Sequence, residues 1–217
     1  MITEPKKRRS RIREKNEERI LKAAEVIFAQ RGFGAATTQE IAQAAEIPKA
    51  NLHYYFNTKE DLYARVLENI LKTWLNAAED FNENHNPADA LETYIRTKVE
   101  LSRTCPDASK IFAKEIISGA PFLETHLRKD INPWLNVKAK IIETWIMDGK
   151  MAPVNVRHLF FLIWSMTQTY ADFSTQMAIV LNKEKLEEDD FETAANLIIK
   201  MVFSVCELRL PLSSKQN

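Results

Sequence analysis

Apolar side chains in this chain recur at helical spacing, and nowhere do they alternate with period two over the length a β-strand needs. Thr58 is a capping residue, and after it Leu62, Val66, Ile70, Leu71, Trp74 and Leu75 form one broad stripe that predicts a helix to about residue 81. Pro87 opens a helix to about residue 103, and Pro106 opens one that stops at Gly119. A stretch over 121–147 ends before Gly149, with Pro133 either kinking or dividing it. Two strongly apolar helices follow, over about 155–181 and 189–208. With the shorter patterns upstream, the expected fold is all-α, with about nine helices.

A chain of 217 residues can hold one or two domains with a real core. Its formal net charge of zero conceals a split. Residues 1–63 carry twelve Lys and Arg against nine Asp and Glu, and the remainder eighteen against twenty-one. The positive excess sits in KKRRSRIREK, residues 6–15, with seven basic side chains and Glu14 alone against them. Such an arm either favours phosphate contact by counterion release or is a solvated tail. Cys105 and Cys206 lack metal or redox spacing and the N-terminus lacks a secretory pattern, which together predict a reducing cytoplasm. Residues 158–173 are strongly apolar, but Thr167, Gln168 and Asp172 interrupt them well short of a membrane span.

Enzyme chemistry finds no support. His53, His85, His126 and His158 are scattered, with no Cys or carboxylate at ligand or triad spacing, and four glycines form no phosphate loop. The acidic run at 187–190 stands at a helix entry, where carboxylates favour the dipole. No catalytic residue, metal site or cofactor is expected.

Residues 37–61, TTQEIAQAAEIPKANLHYYFNTKED, carry more information. Thr37 and Glu40 have capping-box spacing, and Ile41, Ala44 and Ala45 give a short apolar face. Pro48 suits the first turn of a second helix, whose strong anchors are Leu52, Tyr55 and Phe56. A short helix that is polar outside and held by few anchors suits a DNA groove.

The run ILKAAEVIFAQRGFGAATTQEIAQAAEIPKANLHYYFNTKEDLY, residues 20–63, resembles the DNA-binding domain of tetracycline-repressor-type (TetR family) regulators. The resemblance rests on Ile20, Ala23, Ala24 and Phe28, the Gly32-Phe33 stop, Thr37-Thr38, Ile41-Ala42, Leu52, Tyr55-Phe56 and the 59–62 segment. Three positions depart from the pattern. Glu46 stands where glycine is usual in the turn, Pro48 where a capping Ser or Thr is usual, and His53 where tyrosine is common. The resemblance implies a basic arm (1–15), a helix-turn-helix domain (16–63) and a helical effector-binding and dimerisation domain (64–217). It also implies that Lys49, Ala50 and Asn51, with Gln39, meet base edges, for which Asn suits adenine, Lys guanine and Ala the thymine methyl. Thr37, Thr38, His53, Tyr54 and Lys59 would then sit on phosphates. Leu52 and Phe56 read as core, and Tyr55 as either packing or phosphate-facing.

The family pairs through its last two helices, which predicts a homodimer here that offers two recognition helices to a pseudo-palindromic operator. Segments 69–75, 98–121 and 162–173 are similar to one branch of the family, the regulators of bacterial pyrimidine utilisation, which respond to uracil and thymine. The similarity implies a repressor released by a small molecule. Trp74 and Trp164 either stack on a planar ring or only fill the core. Gln168, one turn after Trp164, offers donor and acceptor to an imide edge. Tyr170 is a weaker candidate, and Asp172 is expected to point elsewhere on the helix. The alternative is a DNA-binding protein whose helical body recognises another protein.

Overall fold

The computed structural model describes residues 4–79 and 81–209, with side chains from Arg13 onward. Among the described residues all regular structure is helical, and no helix is long and apolar enough to cross a membrane. The chain forms two compact units, one of residues to Leu71 with Lys110–Leu123, the other of Lys72–Ser109 with the chain from Glu124 onward.

The first unit begins with α1 (Glu4–Ala35), so the backbone of the basic run is helical from Glu4, while the side chains of residues 1–12 lie outside the described residues. Gly32, at φ 74° and ψ 166°, breaks the helical path where the sequence predicted a stop. Then α2 (Thr38–Ala44) and α3 (Lys49–Tyr55) form the expected short pair, and α4 (Lys59–Asn76) leaves the unit at Leu71. Ile20, Ala24, Phe28, Ile41, Leu52, Leu62 and Leu67 fill the core. Phe28, Phe33, Tyr63 and Phe122 pack ring against ring at centroid distances of 4.8–6.3 Å. Phe122 follows α6 (Pro106–Ile117), whose buried Glu115 accepts from the Tyr63 hydroxyl (3.2 Å) and the Phe122 amide (2.6 Å). Burial and the adjacent Glu115 charge push the Tyr63 phenol above its ordinary range.

The second unit is built on α5 (Pro87–Thr104), which packs against α9 (Val156–Asp172) and α11 (Glu188–Val205). Leu91, Tyr94, Ile95, Ile142, Trp145, Phe160, Ile163 and Phe203 are its most buried members. Three predicted boundaries shift. The α4 helix ends at Asn76 rather than near residue 81, because the chain passes into i→i+3 turns over 74–79 and the Leu75 carbonyl also accepts from Trp134 Nε1. The helical path over 124–147 begins with α7 (Glu124–His126) and contains a π segment, Leu127–Ile131, immediately before Pro133 opens α8 (Asn132–Met147). A proline clashes with the carbonyl four residues back, and the widened turn makes room for it. Finally, Phe173 (φ −114°, ψ 24°) divides the expected 155–181 helix into α9 and α10 (Ser174–Val180), with neither Gly nor Pro to mark the break.

Candidate functional sites

The helix-turn-helix is closed by local chemistry. At Thr37 the hydroxyl accepts from the Glu40 amide (3.2 Å) while the Glu40 carboxylate accepts from the Thr37 amide (3.0 Å) and hydroxyl (2.8 Å). These bonds hold the Glu40 carboxyl below its usual range. The end of α2 is a Schellman turn, in which the Ile47 amide bonds to the Ala42 carbonyl and the Glu46 amide to the Gln43 carbonyl. Glu46 occupies its left-handed position at φ 53°, as its place opposite the family glycine implied. The Arg19 guanidinium donates to the Ala45 carbonyl (2.8 Å) and to Glu46 (3.3 Å), tying α1 to that turn. Pro48 is the N-cap of α3 at φ −59° and ψ 140°, with no side-chain cap, at the capping position the resemblance gave it and one residue before the first turn that proline suits.

On the outer side of this scaffold Gln39, Lys49, Ala50, Asn51, His53 and Tyr54 are exposed, Thr38 is half-buried, and Leu52 and Phe56 are buried as expected. The first turn of α3 thus presents a cationic, an apolar and an amide side chain in succession. Tyr55 resolves to a packing role, since its hydroxyl accepts from Asn16 Nδ2 at 3.2 Å. Tyr54, 72% exposed, stands edge-on to Tyr55, and the Arg13 guanidinium lies 5.9 Å from its ring centre. The described end of the basic run therefore reaches α3.

Two expected phosphate contacts have other tasks. The Thr37 hydroxyl is committed to the capping box. The Lys59 ammonium donates to the carbonyls of Phe33 (2.8 Å), Gly34 (3.3 Å) and Ala36 (3.0 Å), and lies 4.5 Å from the Phe33 ring centre. All three of its donors are used on carbonyls beyond the break at Gly32.

In the second unit, α5 and α9 run in the same direction. Trp164 Nε1 donates to the Tyr94 hydroxyl at 2.7 Å, and further along Ser102 donates to the Thr167 carbonyl at 2.9 Å. Trp74 meets α5 one turn beyond Tyr94, where the Lys98 ammonium lies 4.4 Å from its ring centre. Both tryptophans are half-buried against the same helix. Gln168 is half-buried one turn after Trp164, and Asp172 follows one turn later, its Oδ1 accepting from Ser109 at 2.6 Å. Asp172 therefore shares the stripe of Trp164 and Gln168 and does not point elsewhere on the helix, contrary to expectation. Tyr170 does not join this group. It packs near Phe191 (6.2 Å) and lines a groove with Phe173, Met177 and Leu186. Lys98 was missed, although a lysine between Tyr94, Ile95 and Val99 on an apolar helix face was a visible signal.

A helix-turn-helix whose second helix exposes its first turn, in a chain whose other unit has only helices as regular structure among the described residues, with polar side chains inside it, defines the class of DNA-binding regulators with a helical body. Residues 20–66 match the family model of bacterial regulatory proteins, tetR family, and residues 67–209 that of the YcdC-like protein, C-terminal region. The HTH-type transcriptional regulator RutR of Escherichia coli (strain K12) is 38% identical over 195 residues, 90% of this chain and 92% of that protein. The biofilm operon icaADBC HTH-type negative transcriptional regulator IcaR of Staphylococcus aureus (strain Newman) is 25% identical over 197 residues, 84% of this chain and 98% of that protein. Among solved structures, AibR in complex with isovaleryl coenzyme A and operator DNA has a TM-score of 0.64 at 19% identity, over 91% of this chain and 100% of that one, a likeness of fold. The chain belongs to the TetR family, and it is a DNA-binding transcriptional regulator rather than an enzyme.

Proposed function

We propose that the protein is a cytoplasmic repressor that holds a pseudo-palindromic operator as a homodimer and releases it when uracil, thymine or a related pyrimidine enters the second unit. The observation that carries the effector reading is the stripe of Trp164, Gln168 and Asp172 on α9 beside Trp74 and Lys98. It combines flat apolar surface with donors and acceptors, which suits a small planar imide. Lys49, Ala50 and Asn51, with Gln39, read bases; Thr38, His53 and Tyr54 sit on phosphates. Pairing uses the outer faces of α9 and α11, where Phe161, Leu162, Leu197, Met201 and Val205 are exposed.

The chain passes from the first unit to the second within α4, and Trp74 lies on the later part of that helix. A ligand at Trp74 thus bears on a helix common to both units. It weakens operator binding only as far as it prefers the released conformation. The test is operator affinity by fluorescence anisotropy with and without uracil. Uracil is expected to raise the melting temperature and lower operator affinity, and Gln168→Ala to blunt that response while leaving ligand-free operator binding intact. Absence of pyrimidine binding by calorimetry would remove the effector. Binding without any change in operator affinity would remove the coupling. The runner-up, a body that binds another protein, draws on the exposed Phe173, Ile179, Val180 and Leu181 at α10.

A further inference from the structure

Lys98 stands at the middle of α5 and is 3% exposed. A buried ammonium without an acceptor is strongly unfavourable, because it forfeits the hydration of three donors. The Lys98 ammonium donates no hydrogen bond to the described residues, and since none of their side-chain nitrogens or oxygens is both sealed from solvent and unpaired, its nitrogen keeps a solvent-reachable face. Two weaker interactions offset the burial. The Trp74 ring lies 4.4 Å away, and the Asp172 carboxylate acts through its charge from beyond ion-pair distance. Burial draws the ammonium down to about 8, with Asp172 opposing that shift, so at neutral pH the group stays mostly charged.

The neighbouring helix presents a second polar group with spare hydrogen-bonding capacity. Gln168 is half-buried and makes no side-chain hydrogen bond among the described residues. Tyr94 opposes Trp164 and Ser102 opposes Thr167, so the parallel run of α5 and α9 places Lys98 between those two levels, beside the stretch from Trp164 to Gln168. A cation and an amide, neither bonded to a protein acceptor or donor among the described residues, therefore lie on adjacent helices near two tryptophan rings.

We infer that Lys98 is the specificity-determining residue of the effector site, donating to a carbonyl or carboxylate oxygen of a planar ring while Gln168 pairs with the adjoining ring edge. The inference rests on the effector reading above and deepens it. The site accepts imide, lactam and ring-carboxylate ligands. It disfavours rings that turn an amine to the same position, as the cytosine edge does, since two donors would then oppose each other.

The test is calorimetry of the full chain with uracil and cytosine, alongside planar rings that carry oxygen acceptors (barbiturate, nicotinate, benzoate) and rings that carry none (indole, benzimidazole). Lys98→Met keeps the length and removes the charge, so its melting temperature should equal or exceed wild type. Lys98→Gln serves the same comparison should the methionine variant misfold. Wild type should bind uracil at least about tenfold more tightly than cytosine, and Lys98→Met should lose about tenfold or more for uracil while narrowing that ratio. A purely packing role would not move the ratio. If wild type and Lys98→Met bind uracil equally, the Lys98 inference is overturned and the pyrimidine reading stands. If uracil fails but another oxygen-bearing ring binds and depends on Lys98, the pyrimidine reading falls and the inference holds. If only oxygen-free rings bind, or none does, both are overturned.

Discussion

Lys59 and Asn51 lie eight positions apart in the helix-turn-helix and do opposite work. The Lys59 ammonium closes three backbone carbonyls past Gly32, so Lys59→Met should lower folding stability by about 1–3 kcal/mol. Urea denaturation measures the loss, and affinity per folded molecule for any DNA should stay unchanged. Asn51 is exposed and makes no side-chain hydrogen bond among the described residues. Asn51→Ala should weaken operator binding by about 1–3 kcal/mol and leave non-specific binding nearly intact. Equal losses on operator and random DNA would remove it from the base-reading set. The exposure of Asn51 was legible, because a short helix with few apolar anchors must show its polar side. The task of Lys59 was not, because its acceptors lie 23–26 residues upstream and come within reach only through the break in α1. Lys98 and Asp172 were obscured in the same way, each defined by a partner on another element.

Among the elements, the α2–α3 turn breaks a local rule, as do the left-handed turns at Ala120, Asn182 and Glu207. A left-handed non-glycine residue crowds its own Cβ, and Glu46 regains little through its solvent-exposed pairing with Arg19. Glu46→Gly should therefore raise stability by about 0.5–1 kcal/mol, read as a higher melting temperature with operator affinity retained. A lower melting temperature would show that Arg19 and Glu46 hold the turn more firmly than the backbone resists it. Helix starts were legible where Thr37, Thr58, Pro87 and Asn155 announce them chemically, and illegible at Ser174, where nothing does. Helix ends were harder. The α4 stripe continues into buried Ala78 and Phe81 after the backbone has left the helix, and periodicity runs through Phe173 without a breaker.

At the scale of the whole molecule, the apolar surfaces of α9 and α11 carry the prediction of pairing. Leu197, Met201 and Val205 recur every four residues along α11 and are more than half exposed. Leu197→Glu should convert the dimer to monomer at micromolar concentration by sedimentation while the melting curve stays cooperative. A wild-type monomer under those conditions would defeat the proposal. Ala194 and Ala195 are unsuitable probes, being buried inside the protomer at 1% and 3% exposure. The all-α class and the helix-turn-helix were legible from periodicity and capping. The return of 110–123 to the first unit was not, since periodicity says nothing about which unit a helix joins. That return limits portability. A graft of residues 1–71 onto a foreign body would leave behind Phe122, which covers Phe33 and Tyr63, and Glu115, which accepts the Tyr63 hydroxyl. The transplanted reading head should then melt earlier than in its native chain, and adding back 110–123 as a tethered segment should restore it.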